Sequence, residues 1–225
     1  MAEKSRSGMA RVLRLLVKAY GPRDYRCWGN AVDVLVSTIL SQNTSNANSD
    51  AGYKRLRRRF RSWNQVADAP VEEVEECIRI SGLSRIKAPR IQQILRQIKA
   101  NHGKMDLQFL ADRDPQEACD YLTQFKGVGP KTAACTMLFA FGKAVFPVDT
   151  HIHRISRRLG WIGPKTSAEQ AQRILTPLIA PEDRYAMHVL LITHGRKTCR
   201  AIGPKCDECA LLRLCPYGKL SDAPP

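Results

Sequence analysis

Four cysteines that lie close together in the last part of the sequence are the clearest candidates for chemistry: Cys199, Cys206, Cys209 and Cys215. Their spacing is C-x6-C-x2-C-x5-C. Thiolates this close in sequence repel one another unless a cation holds them, so the loop predicts a metal site. Structural zinc sites commonly use two close cysteine pairs, whereas this loop has one close pair with single cysteines set wider on each side. The spacing favours an iron–sulfur cluster, with zinc as the alternative.

A second candidate lies in a glycine-containing segment between two predicted helices. Gly127 and Gly129 flank Val128, which permits a tight turn with Val128 in the core and exposed backbone N–H groups that suit a phosphate. Pro130 suits the first position of the next helix, and Lys131 falls in its first turn. The helix macrodipole disfavours an ammonium there and favours the free amine that a Schiff-base nucleophile needs. A surface lysine that contacts phosphate is the alternative.

Asp149 is the third candidate, because it precedes a helical pattern and is placed to cap that helix. A capping carboxylate can direct its second oxygen outward. A negative charge there would stabilise the positive charge that develops at an anomeric carbon as a base departs. The capping role and the catalytic role are compatible, and both are predicted for Asp149.

Helical patterns must position these candidates, because strand patterns are nearly absent from the sequence. Apolar residues recur with helical spacing at 91–98 and in several other segments. The β-branched run at 32–40 also suits a buried strand, but its neighbours favour a helix. Pro181 is predicted to open a late helix that Gly195 closes. The sequence therefore predicts an all-α fold.

The charge balance points to a polyanionic partner. The chain of 225 residues has 36 lysines and arginines against 21 aspartates and glutamates, for a net charge of +15. Basic side chains that meet phosphates release condensed counterions, so this balance favours nucleic acid. One basic run either contacts phosphates or forms a solvated helix face, and the second interpretation is favoured for most of its members: Lys54, Arg55, Arg57, Arg58, Arg59 and Arg61.

The compartment is inferred from apolar patterning. No stretch resembles a transmembrane helix, and residues 1–10 contain no apolar run of the secretory kind, so we expect a cytoplasmic protein, nucleoid-associated if bacterial. A transit peptide is the alternative for the apolar and basic segment that follows. Cysteines in a reducing compartment do not form a disulfide framework. The four isolated ones are predicted to be small buried hydrophobic residues: Cys27, Cys77, Cys119 and Cys135.

With these residues assembled, the sequence resembles the endonuclease III branch of the helix-hairpin-helix DNA glycosylases. Four signals occur in the family's order: Leu-Ser-Gln-Asn-Thr at 40–44, the hairpin that ends in Lys131, Val-Asp-Thr-His at 148–151, and the four-cysteine loop. The resemblance covers nearly the whole chain.

The resemblance implies an all-α fold of two domains with a DNA cleft between them. One is a six-helix barrel at 30–135, with the helix-hairpin-helix motif at about 121–141 at its end. The other joins 1–29 to 136–218 and holds a [4Fe–4S] cluster on the four cysteines of the loop. Residues 219–225 are expected to form a disordered tail.

The resemblance also implies roles for individual residues. Lys131 matches the family's catalytic lysine and Asp149 its catalytic aspartate. Gln42 matches the residue that fills the gap left by a flipped nucleotide, and Leu83 matches the apolar wedge on the opposite strand. Leu83 also fits an ordinary turn with one core residue. The expected DNA-binding set is completed by the hairpin and one residue near Asp149: Gly127, Val128, Gly129 and His151.

The implied activity is that of a bifunctional DNA glycosylase and AP lyase, acting as a monomer on double-stranded DNA. It excises oxidised pyrimidines and cleaves the strand 3′ to the abasic (AP) site by β-elimination through a Schiff base on Lys131. A monofunctional mismatch, uracil or adenine glycosylase of the same superfamily is one alternative, but such relatives lack the lysine. A non-catalytic DNA-binding iron–sulfur protein is another, and the presence of both Lys131 and Asp149 argues against it.

Two positions depart from the family pattern. Thr123 stands where many relatives carry an acidic residue, which leaves one proton-handling role without its usual side chain. Pro130 stands where arginine is more usual, which removes one cation near the phosphates.

Overall fold

The predicted all-α class is confirmed in the computed structural model, which describes residues 2–221 and the side chains of 7–219. Those residues form twelve α-helices joined by loops and short 3-10 turns, and no strand. None of the described helices combines the length and apolar character that a membrane crossing requires. In the expected tail at 219–225, the first three residues continue the last helix, and 222–225 lie outside the described residues.

The helices are, in chain order, α1 (Ala2–Tyr20), α2 (Ala31–Leu40), α3 (Asn46–Arg59), α4 (Trp63–Asp68), α5 (Val71–Ile78), α6 (Ser84–His102), α7 (Pro115–Thr123), α8 (Pro130–Phe141), α9 (Thr150–Arg158), α10 (Ala168–Leu175), α11 (Arg184–Lys197) and α12 (Pro216–Ser221). The chain divides into two compact units. The central unit is Cys27–Lys143, and the terminal unit joins Met1–Arg26 to Ala144–Pro225. The whole of α8 therefore lies in the central unit, whereas the boundary expected at 135 would cut this helix.

The central unit is built around α2, which packs against α8, while α8 also contacts α7. The helix predicted at 32–40 is confirmed. Asn30 caps it by accepting the backbone N–H of Asp33 at 3.0 Å. Most of its side chains are buried, including Leu35 and Ile39 at 0% exposure. Burial on nearly every side explains why its sequence lacks a polar face and also suits a strand.

The described central unit has seven α-helices, where the family resemblance implies six. A break in the backbone separates α4 from α5. Ala69 is extended, with φ −67° and ψ 157°, because a residue before proline is pushed away from helical backbone. Pro70 then precedes α5 directly. Two short helices, α4 and α5, thus follow one another with an extended break between them.

The terminal unit is built around α11, which packs against α1 and α9. The prediction that Pro181 opens this helix and Gly195 closes it is wrong at both ends. Pro181–Asp183 forms a 3-10 turn, and the α-helix begins at Arg184 and runs on to Lys197. Gly195 stays helical because its missing side chain leaves room for a neighbour: a Cβ there would lie 2.8 Å from Cβ of His151.

Candidate functional site

The predicted hairpin joins α7 to α8 in the central unit. Gly127 has φ +84°, a left-handed backbone that glycine adopts without strain. Val128 is 4% exposed, and its N–H donates to the carbonyl of Phe125 at 3.0 Å, so Val128 fills the core as predicted. Gly129 is exposed, and a Cβ built on it meets nothing within 4 Å. Open space at the start of a helix allows an anion to approach the backbone closely.

Arg90 of α6 lies directly against this hairpin. A Cβ on Gly127 would fall 2.3 Å from Nε of Arg90, so the arginine side chain packs closely on this glycine, whose positive φ is what requires glycine. The guanidinium thus supplies a cation beside the hairpin. No local motif marks Arg90, because it reaches the hairpin from a distant part of the chain.

Lys131 lies in the first turn of α8, directly after Pro130, and its side chain is half-buried. Within the described central unit no carboxylate forms a salt bridge with it. Lys126, by contrast, is an exposed lysine on the same hairpin. Lys131 therefore lies at a helix start without an acidic partner from its own unit. Neither packing nor the helix macrodipole favours a lysine in that position.

Gln42 and the hairpin are brought together in the central unit. Gln42 follows the end of α2, and its Nε2 donates to the carbonyl of Gly127 at 3.3 Å and to Oγ1 of Thr132 at 3.2 Å. The half-buried glutamine is thus oriented by the segment that carries Lys131. Thr132 was missed by the sequence analysis, because a threonine in a helix carries no signal of its own.

Leu83 lies at the start of α6 with an unusual backbone. Its φ is +53°, and Gly82 before it has φ +67°. A left-handed conformation is costly for leucine and persists where the surrounding structure enforces it. The side chain is 49% exposed, so Leu83 is not the core residue of an ordinary turn. This exposed apolar side chain on a constrained backbone has the form of a wedge.

Asp149 lies in the terminal unit at the start of α9. Its Oδ1 accepts the N–H of Ile152 at 2.8 Å, which confirms the predicted cap. A single backbone bond uses one carboxylate oxygen. The other keeps acceptor capacity for chemistry.

His151 is half-buried in the first turn of α9. Its Nδ1 accepts a hydrogen bond from Nη2 of Arg154 at 3.1 Å. Burial lowers the pKa of His151 below its ordinary value, and the positive charges of Arg154 and Arg196 lower it further, against the opposing effect of Asp149. The imidazole is therefore held in its neutral form.

The four cysteines of the loop line one cavity in the terminal unit. Among the described residues, no group of three or more His, Cys, Asp or Glu side chains is arranged to hold a metal ion. Zinc would draw its sulfur ligands to about 2.3 Å from one point, whereas a cubane binds its thiolates at separate iron corners. Four thiols that line one cavity provide the sulfur ligands that an iron–sulfur cluster or a zinc ion requires.

Neighbouring groups are directed at these sulfurs. Nη1 of Arg158 donates to Sγ of Cys199 at 3.2 Å, and the N–H of Leu211 donates to Sγ of Cys209 at 3.4 Å. Burial raises the pKa of the Cys209 thiol, and the charges of the other three loop cysteines raise it further. N–H donors aimed at sulfur stabilise the thiolate form that metal binding requires.

One face of α9 connects the cysteine loop to the start of that helix. The guanidinium of Arg154 donates to the carbonyl of Cys199 at 3.1 and 2.8 Å and to that of Gly195 at 2.9 Å. The same guanidinium contacts His151. A properly folded cysteine loop therefore helps to place the first turn of α9, where Asp149 lies.

The four isolated cysteines differ from one another in burial. Cys119 and Cys135 are buried as predicted, but Cys77 is half-buried and Cys27 is exposed, so the prediction is wrong for Cys27. Its thiol lies at the chain's entry to the central unit and donates to the carbonyl of Ala140 at 3.4 Å.

Two members of the basic run have structural partners. Arg57 stacks over the ring of Trp63 at 4.7 Å, and Arg59 pairs with Glu73 at 2.5 Å. The other four are exposed: Lys54, Arg55, Arg58 and Arg61. This distribution matches the expected solvated helix face.

Comparison with known proteins gives a consistent result. The model of the HhH-GPD superfamily of base excision DNA repair proteins matches residues 36–181. Endonuclease III of Thermotoga maritima is 35% identical over 185 residues, which span 82% of each chain. A candidate DNA glycosylase of Arabidopsis thaliana is 36% identical over 168 residues, which span 74% of this chain but only 57% of the plant protein.

Solved structures agree with the sequence comparison. A trapped covalent intermediate of endonuclease III with DNA superposes with a TM-score of 0.83 at 31% identity, covering 97% of this chain and 99% of the other. A non-covalent endonuclease III–DNA complex gives the same TM-score at 30% identity, with 96% and 97% coverage.

Proposed function

Because the chain belongs to the HhH-GPD superfamily of base excision DNA repair proteins, we propose that it is a bifunctional DNA glycosylase and AP lyase that acts on oxidised pyrimidines in duplex DNA. The observation that carries this proposal is Lys131. It lies in the first turn of α8 beside an open glycine hairpin, half-buried and without a carboxylate partner in its own unit. Lys126, which is exposed on the same hairpin, could contact a phosphate equally well.

The reaction begins with the free amine of Lys131. Its nitrogen lone pair forms a bond to C1′ of the damaged nucleotide, while the bond between C1′ and the base breaks and its electron pair leaves with the base, which takes up a proton. The lysine nitrogen then loses a proton, its lone pair forms the C=N bond of an imine with C1′, and the bond between C1′ and the ring oxygen breaks as that oxygen takes up a proton. Loss of a proton from C2′ then expels the 3′ phosphate oxygen by β-elimination, and water releases the lysine. The carboxylate of Asp149 stabilises the positive charge that builds as the base departs.

Duplex binding is assigned to the hairpin and to two inserting side chains. The open face of Gly129 receives a phosphate, with the cation of Arg90 nearby. Leu83 enters the stack as an apolar wedge, and Gln42 fills the space left by the extruded nucleotide. Extrusion costs least where damage has already weakened stacking or pairing, which favours damaged bases as substrates.

The cysteine loop is assigned a [4Fe–4S] cluster, which would supply four iron–thiolate bonds that hold the loop in a fixed conformation. The residues that would hold it are the four loop cysteines, with Arg158 and the backbone of Leu211 donating to their sulfurs. Through Arg154, the fixed loop keeps the first turn of α9 in place. The proposed role of the cluster is structural or redox-tuning through DNA binding, not hydrolytic.

Borohydride trapping tests the proposed function. The protein is incubated with duplexes that contain thymine glycol, oxidised cytosine, uracil or an AP site, with sodium borohydride present. We expect a covalent complex with the oxidised pyrimidines and the AP site, because borohydride reduces the imine to a stable amine. Base release without any covalent complex would establish a monofunctional glycosylase instead. Binding without base release would establish a non-catalytic protein.

The cluster assignment has its own test. Substitution of Cys209 by alanine should remove the brown colour and the absorbance near ~400 nm that an iron–sulfur protein shows. It should also lower the thermal stability of the terminal unit, because the loop loses its crosslink. Cys119→Ala is the control, since this buried thiol lies in the central unit, outside the loop, and it should keep the colour. A wild-type protein that binds zinc and no iron would contradict the assignment.

A further inference from the structure

The central unit contains a lysine whose side chain is removed from water. Lys87 lies in the first turn of α6 and is 1% exposed. Its Nζ donates to the carbonyl of Leu40 at 2.7 Å and to the carbonyl of Ser81 at 2.9 Å. These two carbonyls belong to segments far apart in sequence, and each comes just before a residue that the proposed function inserts into DNA.

The first of these carbonyls, that of Leu40, lies at the C-terminal end of α2. Leu40 is the last residue of this helix, and Gln42 follows two residues later. The two preceding carbonyls have partners within the same segment: Oγ of Ser41 donates to Thr38 at 2.8 Å, and the N–H of Gln42 donates to Ile39 at 3.2 Å. Lys87 supplies the donor for the last one, at the negative end of the helix dipole where a cation is favoured.

The second carbonyl belongs to the turn that carries Leu83. Lys87 holds this turn on both sides, because its backbone N–H also donates to the carbonyl of Leu83 at 2.9 Å. Oγ of Ser81 donates to the carbonyl of Asn48 in α3 at 3.2 Å. The left-handed backbone of Leu83 is thus enforced from both flanks.

A buried ammonium is a costly way to join two segments. Burial lowers the pKa of Lys87 to about 8, and no carboxylate in the described residues forms a salt bridge with it. Apolar residues of similar volume commonly fill such positions without loss of stability. At neutral pH the group remains mostly an ammonium, whose N–H donors can join two carbonyls at once. Buried charges are normally paired with an opposite charge. The departure from this rule at Lys87 indicates a functional requirement.

We propose that Lys87 is a positioning residue that holds the Gln42 segment and the Leu83 turn at a fixed separation, so that both side chains enter the duplex at the same base step. This inference rests on the proposed function. The lysine does not touch DNA itself. It acts through the two carbonyls, and its removal releases both segments at once.

The test compares Lys87→Met with Gln92→Met, a matched control on the same helix. Gln92 is 3% exposed, and its Nε2 donates to the carbonyls of Val66 at 2.9 Å and Ala69 at 2.8 Å, which lie at the end of α4 and not beside an inserting residue. Both variants lose two buried hydrogen bonds to carbonyls. Lesion preference is measured as the ratio of the Kd for undamaged DNA to the Kd for an abasic-analogue duplex. This ratio should fall by about tenfold or more in Lys87→Met and stay unchanged in Gln92→Met.

Two further measurements separate positioning from loss of stability. Fluorescence of 2-aminopurine beside the lesion, which reports base extrusion, should fall in Lys87→Met and remain in Gln92→Met, whereas binding to undamaged DNA should change little in either variant. In the protein without DNA, hydrogen exchange should accelerate at residues 41–44 and 81–84 in Lys87→Met only.

The possible outcomes are distinct. Unchanged exchange in both segments of Lys87→Met, or equal loss of lesion preference in the two variants, overturns the positioning role. A wild-type protein that shows no preference for lesions contradicts the proposed function instead. Accelerated exchange in Lys87→Met alone would then still establish that Lys87 holds the two segments.

Discussion

Lys131→Ala should abolish borohydride trapping and reduce strand cleavage at an AP site by at least about 10³-fold, while duplex affinity stays within about threefold of wild type. The amine forms the covalent bond to C1′, and no other group in the chain is assigned that step. The half-buried side chain lies beside the hairpin but not in the fully exposed position of a phosphate contact, so its removal should cost little binding energy. Quantitative trapping and single-turnover cleavage measure the chemistry, and fluorescence anisotropy measures the affinity.

Lys126→Ala is the control for charge. It removes a lysine from the same hairpin at an exposed position, so both variants lose one positive charge near the phosphates. Lys126→Ala should retain trapping and weaken binding at low salt, because one counterion fewer is released. If the two variants lose affinity equally and Lys131→Ala still traps, Lys131 is a phosphate contact and the lyase assignment fails.

Asp149→Asn should lower the rate of base excision by about 10²- to 10⁴-fold without lowering the melting temperature. Asparagine and aspartate are nearly equal as helix caps, so the bond to the N–H of Ile152 can be kept while the negative charge is lost. The excision step develops positive charge at the anomeric carbon and therefore depends on the anion. Single-turnover excision of an oxidised pyrimidine, followed beside a thermal melt, separates the two roles.

Two further variants serve as controls for Asp149→Asn: Asp149→Ala, and Asp114→Asn at the cap of α7. Asp149→Ala removes charge and cap together and should lose about 1 kcal/mol of stability in addition to the rate. Asp114 caps α7 through the N–H groups of Gln116 at 2.8 Å and Glu117 at 3.3 Å, and Asp114→Asn should leave both rate and stability near wild type. A slow Asp149→Asn variant that is also unstable would mean that Asp149 acts only as a cap.

Local sequence determined much of the site because its signals depend on neighbours along the chain. The hairpin is an example: Gly127 supplies a positive φ, Val128 fills the core and Pro130 begins a helix, all within one short segment. The cap at Asp149 is equally local. The four-cysteine loop carries its ligand set within a single segment, so its chemistry could be inferred before any fold was known. The all-α class followed from helical periodicity, which side-chain burial imposes on sequence.

Prediction failed where a residue's role depends on a distant segment. Gly195 has the composition of a helix end, yet it lies inside α11 because the ring of His151 occupies the space beside it. The predicted end of the barrel domain at residue 135 falls within α8, and packing of α8 against α2 and α7 keeps that helix whole. Neither the neighbour of a glycine nor the partner of a helix is encoded by spacing along one segment.

The candidate chemistry at Lys131 and at the cysteine loop was therefore predicted from the sequence alone, since residue type and local spacing mark a lysine at a helix start and a set of thiolate ligands. Only the tertiary structure revealed what holds the rest of the site in place. Arg90 reaches the hairpin, and Lys87 joins the end of α2 to the turn of Leu83, through contacts between residues far apart in the chain. Such contacts follow from how helices pack, and a lysine or arginine in a helical pattern looks the same in sequence whether it points to solvent or into the core.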